Sequence, residues 1–444
     1  MGQEKKIYEY DVAVFGGGTA GTFAAIAAAR QGARTVLVEE AEFLGGQLSA
    51  GMGAAGAHDT RGEAAVSGLF STLERTIVEQ KVGPGVVWGP EEDRWVSTTL
   101  LAQPERLKNI LFELVSSSGA ACMLKTTAAA VAVENGRITA ADTLFAGMRQ
   151  EIRAKIFIDA TGDGALGALA GAETMAGDEN GRFQSVSMVF SVANVDLSRF
   201  EEYMNQVINV DGRPRWEVGN ASTRGCIGEY WMPWKGTPQA KNLPNTVGIY
   251  HHGNPGELFF NAAHVQADCL DVFALSRAIV ELREQAFEIM AFLKQNVWGC
   301  ENAYLSGFAP LGVRESRRIC GKYVVTREDM EKKHAFADAV CRGAYPPDVH
   351  QGQGNVDIHV NHCYNYEIPL RAMVSRDFEN LMMCGRCISA QSSAAAGLRG
   401  MGVCIAAGEA AGVAAALSAQ RGLTPEQLPI AEVQAILRTL GVRI

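Results

Sequence analysis

The hydrophobic pattern begins with a short, mostly apolar run from Asp11 to Phe15, suited to a strand buried on both faces. Glycines interrupt it at once, Phe23 to Arg30 is Ala-rich and helical in character, and Thr35 to Val38 is a second β-branched run. Val66 to Val78 has helical spacing, Gly83 to Pro90 reads as loop, and Pro104 to Ser117 predicts an amphipathic helix with Pro near its start. Four short β-type runs follow, Ala121–Leu124, Ala129–Val133, Ile138–Leu144 and Ala154–Ile158, with Asn135-Gly136 as a hairpin turn between the second and third. The character then changes. Ser185 to Ala193 alternates like a strand, Trp216 to Lys235 is aromatic and irregular, and Ala267 to Leu293 predicts a long amphipathic helix. Gly343 to Asn365 reads as a long loop, a length that in a compact domain is usually functional. The opening style returns at the end, with a strand at Asn380–Met383, a helix from Val403 to Ser418 and a surface helix in the tail after Thr424.

The first strand, the glycines and the second strand have the spacing of a dinucleotide-binding βαβ unit. Gly16, Gly18 and Gly21 supply G-x-G-x-x-G: a tight turn, a close backbone approach to a pyrophosphate, and close packing of helix on sheet. The N–H groups at the helix start face the diphosphate. Glu39, at the end of the second strand and followed by Glu40, can accept from ribose hydroxyls, and an acid there disfavours a 2′-phosphate. Gly162, Gly164 and Gly167 repeat the motif after a strand, but the polar, turn-rich segment Ala176 to Gly181 follows instead of a second strand ending in an acid. The repeat is therefore not read as a second dinucleotide site.

Length and charge narrow the class. A chain of 444 residues can build two domains, each with its own core. A net charge of −9 leaves no basic excess to neutralise phosphates, which argues against nucleic acid or an anionic membrane as partner. The start, Met1 to Tyr10, is polar and runs into the first strand, so no signal peptide is expected. The small-residue stretch Ala394 to Ala419 contains Arg399 and Glu409, which argues against a membrane span. Scattered cysteines in apolar contexts read as reduced thiols, and the expected location is cytoplasmic.

The motifs FGGGTAGTFAAIAAARQGARTVLVEE, FLGGQLSAG, AKIFIDATGDGALGALAGA, GVRESRRICGKYVVTREDM and NLMMCGRCISAQSSAAAGLRGMGVCIAAGEAAGVAAAL run through the chain in one order. In that order the chain resembles the FAD-dependent oxidoreductases, flavoproteins of the glutathione-reductase-like, two-dinucleotide-domain fold. The resemblance implies an α/β protein: a Rossmann-like, glutathione-reductase-type FAD-binding domain formed by residues 1–60, 100–180 and 372–444. Residues 61–99 would be an excursion near the flavin, and 181–371 an inserted mixed α+β substrate or cap domain. It further implies FAD held at the diphosphate by Gly16, Gly18, Thr19, Ala20 and Gly21, and at the ribose by Glu39 with Glu40 beside it. Gly45, Gly46 and Gln47 would line the diphosphate and ribityl side, and Ala128 would reach adenine through its backbone. Ala160, Thr161, Gly162 and Asp163 would form the second FAD contact, which absorbs the repeated glycine motif; Gly385 and Arg386 would continue it, and Gly400, Met401 and Gly402 would lie beside the isoalloxazine. One departure is that Phe43-Leu44 stands where relatives often carry Arg before the Gly-Gly pair.

Outside the cofactor motifs, the candidates for chemistry are His58, Arg314, His359 and Tyr366. His58 follows a Gly/Ala segment expected to skirt the flavin, as an acid or base. Arg314 with Arg317 and Arg318 could clamp a carboxylate, the spacing placing them on one helical face with Glu315 as a structural partner. His350, His359, His362, Tyr364 and Tyr366 fall in or beside the long loop, where His359 or Tyr366 is a candidate substrate contact; no metal is expected there. Of His251 and His252, adjacent side chains that diverge, one at most can face a site. Cys384 and Cys387 read as small core side chains, not as a redox pair. The expected activity is hydride transfer between flavin and a small polar metabolite, a hydroxy or amino acid or a sugar. Its electron partner is unknown and a homo-oligomer is possible. The alternatives are a flavin-bearing electron-transfer subunit with no substrate of its own, and a flavin-dependent reductase of an activated alkene.

Overall fold

The structure, a computed structural model, describes residues 5–88, 98–207, 247–351, 355–358 and 364–444. A seven-stranded sheet carries the first unit. Its parallel part runs, in spatial order, Ala121–Met123, Thr35–Val38, Lys6–Phe15, Met148–Asp159 and Leu381–Met383. Arg137–Phe145 and then Thr127–Glu134 extend the sheet from Met148–Asp159 as an antiparallel meander, the two joined to each other by a turn whose Asn135 and Gly136 both have positive φ. The register matters for function. Val38, Phe15, Asp159 and Met383 pair in one row, so four parallel strands stop together and release the chain at the same edge. Ligands of open α/β sheets bind in the crevice beyond such a row.

Two helices pack on one face of this sheet. Thr19–Arg30 and Met401–Arg421 approach closely because Gly408 and Gly412 leave no side chain between them: a Cβ at either would sit 2.2 Å from a carbonyl oxygen of the first helix, Ala20 or Ala24. Met401–Arg421 is long and apolar enough to cross a membrane by composition, yet 94% of its most apolar window is buried inside this fold. It is a core helix, a role its small residues suit.

Glu409 is the charged exception within it, 2% exposed. Its Oε2 accepts the Leu69 N–H at 2.8 Å, at the start of helix Leu69–Glu79, with Gly68 pressed against the carboxylate. Burial pushes this carboxyl up to about 7, against the pull of the Leu69 N–H and Arg30. A folded-state value raised above 4.5 means that the folded protein binds this proton more tightly. The contribution is therefore fully present below about pH 4.5 and is lost as pH rises through about 7. Glu409→Gln is expected to stabilise the protein near pH 8 by up to about 3 kcal/mol and to lose that advantage below about pH 5. Thermal unfolding of both proteins across that range checks it; a constant difference at all pH values would remove the carboxyl from this role.

The second unit is a four-stranded antiparallel sheet in the order Gly248–Tyr250, Leu258–Val265, Val186–Ala193, Tyr304–Phe308. Helix Val272–Asn296 covers it, Asp271 capping its start through the Ala274 N–H at 2.7 Å. Its core, built on Phe190, Phe200, Phe260, Ile289 and Leu293, is separate from that of the nucleotide-type unit.

Several local expectations are corrected. Gly83–Pro90 is not all loop, since Gly85–Trp88 is a strand of a small sheet with Thr98–Leu101 and Ala54–Ala55. The long loop after Gly343 contains the hairpin Asp348–Gln351 with Asn355–Ile358. Tyr366 opens the strand Tyr366–Pro369 and is 1% exposed. The Arg314–Arg318 segment is not helical and runs into the strand Arg317–Ile319, so its arginines do not share a helical face. Burial outranks helical spacing here: Arg314 and Arg318 donate to carbonyls of different elements, and Glu315 pairs with Arg318.

Candidate functional site

The crevice forms where the row of strand ends turns into loops. Gly16 donates its N–H to Val38 O at 2.8 Å, Ala160 to Phe15 O at 2.7 Å and Cys384 to Asp159 O at 3.1 Å, so the ladder continues one residue past each strand. Gly16 has φ +96°, and a Cβ there would lie 2.4 Å from Ala160 O; one at Gly21 would lie 1.8 Å from Gly16 O. Neither position has room for a side chain. Gly18 differs, since a Cβ there would meet nothing within 4 Å. Its neighbour Thr19 begins the helix and donates Oγ1–H to Gly45 O at 2.9 Å, while Gly45 donates to Gly17 O at 2.8 Å. Ala20 is buried behind them. Gly45 and Gly46 both have positive φ, which lets this turn lie flat on the glycine loop.

Glu39 is half-buried, its carboxylate accepting the N–H groups of Gly17 and of Ala41, the latter at 2.7 Å. Burial raises its pKa against those bonds. The segment before Ala128 runs beside it, with Thr126 N–H on Glu39 O at 2.9 Å and Lys125 N–H on Ala41 O at 3.2 Å; Ala128 is half-buried, and Glu40 is exposed. Gln47 donates Nε2–H to Pro310 O and Leu311 O, both at 3.2 Å, and so ties the glycine turn to the second unit.

On the other strand end, Asp159 organises the turn. It is fully buried, and its carboxylate accepts Thr161 N–H at 3.0 Å, Thr161 Oγ1–H at 2.7 Å and Gly167 N–H at 2.9 Å. Sequence reading passed over it, though an acid ending a strand before Thr-Gly was the available signal. Asp163 stands at the rim, ion-paired to Arg386 at 2.8 Å and accepting from Ser316 Oγ at 2.5 Å. Burial pushes its carboxyl up, but Arg386 and Ser316 outweigh this and hold it below the ordinary value. Gly162 has φ +80° and lies under the Arg386 guanidinium, and Gly385 has φ +77° with Ala20 against it.

The crevice ends at the start of helix Met401–Arg421, which has no side-chain cap. A Cβ at Gly400 would sit 2.6 Å from Tyr345 Cβ, one at Gly56 2.7 Å from the same atom, and one at Gly402 2.8 Å from Ala55 O. Tyr345 is therefore wedged between two glycines, and Met401 beside it is half-buried. Behind Tyr345 lies a cluster of polar side chains. Asp348 Oδ2 accepts from Tyr345 OH at 2.9 Å, from His350 Nε2 at 2.9 Å and from Arg399 Nη2 at 3.3 Å. His350 stacks on His264 at 5.7 Å, and Arg314 donates Nη1–H to Ser185 O at 2.8 Å. Burial pushes His350 down to about 4 and His264 well below its usual value, helped by Arg314. Burial, reinforced by Arg399, lowers Arg314 to about 10. Asp348 resists its burial through His350 and the two arginines and is held far below the usual carboxylate range. These shifts favour an ionised Asp348 and neutral imidazoles at neutral pH, beside guanidinium groups that as a class stay protonated in proteins.

The other candidates are placed as follows. His58 sits 2.8 Å from Thr98 Oγ1 and tilts against Trp88 at 5.0 Å, and burial and then Arg443 lower its pKa. Tyr366 donates its hydroxyl to Tyr345 O at 3.0 Å, so it buttresses the residue that reaches the crevice. His359, with His362, lies outside the described residues. Both of the paired histidines are buried, His252 on Gly51 O at 2.9 Å and His251 on Asn254 O at 3.0 Å. Cys384 and Cys387 are fully buried in different cores, and burial raises both thiols well above the usual value. Among the described residues no cluster of three or more His, Cys, Asp or Glu could hold a metal ion.

A family profile described as FAD dependent oxidoreductase matches residues 11–437. The chain belongs to this family. FAD is accordingly its cofactor, and the crevice fits an extended dinucleotide on one observation above all: the protein fills the space at Gly16 and Gly21 and leaves it open at Gly18. Two curated relatives are both called digeranylgeranylglycerophospholipid reductase. That of Thermoplasma acidophilum is 25% identical over 54% of this chain and 56% of its own length. That of Thermoplasma volcanium is 25% identical over 55% and 58% respectively. The chain thus spans a little over half the length of these relatives. The solved flavin-dependent brominase Bmp2 is 13% identical, covers 97% of this chain and 84% of its own, and superposes with a TM-score of 0.51, a likeness of fold. This oxidoreductase is an α/β protein with a mainly parallel sheet at its centre.

Proposed function

We propose that this FAD-dependent oxidoreductase moves a hydride between the flavin and a small polar metabolite, a hydroxy or amino acid or a sugar. The observation that carries the reading is the polar character of the crevice's far end, where Tyr345, Asp348, His350 and Arg399 meet beside Gly56 and Gly400. In this reading Gly16, Gly18 and the helix start from Thr19 to Gly21 hold the diphosphate, with Gly45, Gly46 and Gln47 along its side. Glu39 takes the adenosine ribose, Ala128 the adenine through its backbone, and Ala160 to Asp163 with Gly385 and Arg386 the ribityl and diphosphate edge. Gly400, Met401 and Gly402 meet the isoalloxazine. Residues 1–60, 100–180 and 372–444 are then the FAD domain and 181–371 the substrate domain, the glutathione-reductase-type arrangement. When bound, FAD supplies a ring that accepts or returns a hydride. The chain's part is to place the substrate carbon over that ring and to keep water out, for which the buried wall behind Tyr345 is built. The uncapped start of Met401–Arg421 points its positive end at the same place and favours charge that develops there.

Anaerobic mixing of the FAD-loaded enzyme with a panel of hydroxy acids, amino acids and sugars is the test, and bleaching of the flavin by at least one of them is the expected result. A spectrum unchanged by the whole panel would overturn the reading. A second reading, reduction of an activated alkene, is supported by the reductase names of the curated relatives. It is favoured if chemically reduced enzyme is reoxidised by unsaturated acids while no saturated metabolite bleaches the flavin.

A further inference from the structure

Arg399 and Arg314 come from segments far apart in the chain, yet each acts on the charge of Asp348 and on the other. Arg399 spends Nη2 on Asp348, donating to its backbone O at 2.6 Å and to Oδ2 at 3.3 Å, and its Nε is buried without a partner. Asp348, 4% exposed, keeps Oδ1 unpartnered, and Nδ1 of His264, 2% exposed, is unpartnered as well. The imidazoles of His264 and His350 lie within 8° of parallel, so their lone pairs run in parallel planes and do not converge on a metal ion. With both imidazoles neutral, two guanidinium groups face a single carboxylate, leaving one positive charge uncompensated among the described residues of the cluster. A buried charge without a counter-charge is costly, and an anionic ligand is what would offset it. Arg399 directly precedes Gly400 at the far end of the crevice, and its side chain keeps 14% exposure.

We propose that Arg399, backed by Arg314, is an anion-recognition site for the carboxylate of a small organic acid, set beside Gly400 at the far end of the crevice. This rests on the reading of a small polar substrate and narrows it to acids. Arg399 is then a specificity-determining residue, and Asp348 fixes its geometry.

Oxalate is the probe, with ethylene glycol as a neutral control of similar size. Titration of the FAD-loaded enzyme, followed by the flavin spectrum and by calorimetry, is expected to give saturable binding of oxalate and none of the glycol. Arg399→Gln is expected to weaken oxalate at least about tenfold with full FAD content, and Arg399→Lys, which keeps the charge but loses the planar fork, to weaken it less. Thermal midpoints and flavin stoichiometry show that each variant is folded and loaded. Oxalate that fails to bind the parent enzyme, or binds Arg399→Gln equally well, overturns the assignment. The two readings fail separately. A neutral sugar that bleaches the flavin while oxalate leaves it untouched sinks the anion site alone; a whole panel that fails to bleach sinks the redox reading, whatever oxalate does.

Discussion

Gly18→Val is expected to yield a folded protein that no longer retains FAD. The backbone at Gly18, φ −65° and ψ −167°, is extended and accepts a side chain, and a Cβ there meets no protein atom beyond its chain neighbours within 4 Å. On the diphosphate placement proposed above, the added atoms enter the space of the cofactor, beside the uncapped start of Thr19–Arg30. Filling a close backbone-to-phosphate approach costs on the order of 3 kcal/mol or more, over a hundredfold in affinity. The measurement is the flavin stoichiometry of purified protein together with its far-ultraviolet circular dichroism. Stoichiometric flavin in this variant would falsify the placement of the diphosphate. Gly21→Val makes the contrasting control, since its Cβ would lie 1.8 Å from Gly16 O and the turn itself must break. It is expected to lose the fold along with the flavin.

The second large effect is on stability. Arg318→Ala is expected to destabilise the protein by about 3–5 kcal/mol. Its side chain is 3% exposed and spends three donors inside: Nε on Ala390 O at 2.8 Å, Nη2 on Gly177 O at 2.9 Å and Nη1 on the Glu315 carboxylate. Glu315 is 1% exposed and its Oε2 has no other partner, so truncation leaves a buried carboxylate without a cation and two carbonyls without donors. Chemical denaturation gives the number directly, and a loss below about 1 kcal/mol would show that the pair is not the lock it looks. Arg318→Met combined with Glu315→Gln removes both charges at similar volume and is expected to recover most of the loss. That double variant separates the cost of an orphaned charge from the cost of a cavity.

The arginines show how differently one segment is used. Arg314, Arg317 and Arg318 lie within five consecutive residues, and helical spacing puts them on one face. In the fold, Arg318 locks the segment to Gly177 and Ala390, Arg317 holds Asp163 O at 3.0 Å, and Arg314 secures the second unit at Ser185. Spacing gives the directions of side chains only once the secondary structure is known. Burial of the segment against Asp163, Gly177, Ser185 and Ala390 made a non-helical backbone the better solution.

What the residues alone determined is the nucleotide unit. Strand, glycine turn, helix, strand and acid are consecutive, so each element is set by neighbours within about thirty residues, and Gly16, Gly18, Gly21 and Glu39 could be given positions before any fold was known. The buried Ala/Gly helix at the end of the chain was legible for the same local reason. Only the tertiary structure decided the far end of the crevice. Gly56, Tyr345, Asp348 and Arg399 are separated by up to several hundred residues, and no period or spacing links them. Gly56 and Arg399 follow Thr35–Val38 and Leu381–Met383, two of the parallel strands that end in one row, and the turn after the separate strand Ala339–Gly343 brings Tyr345 and Asp348 against them. Convergence of that kind is a property of strand order and register, and a linear pattern of apolar and polar positions does not carry it.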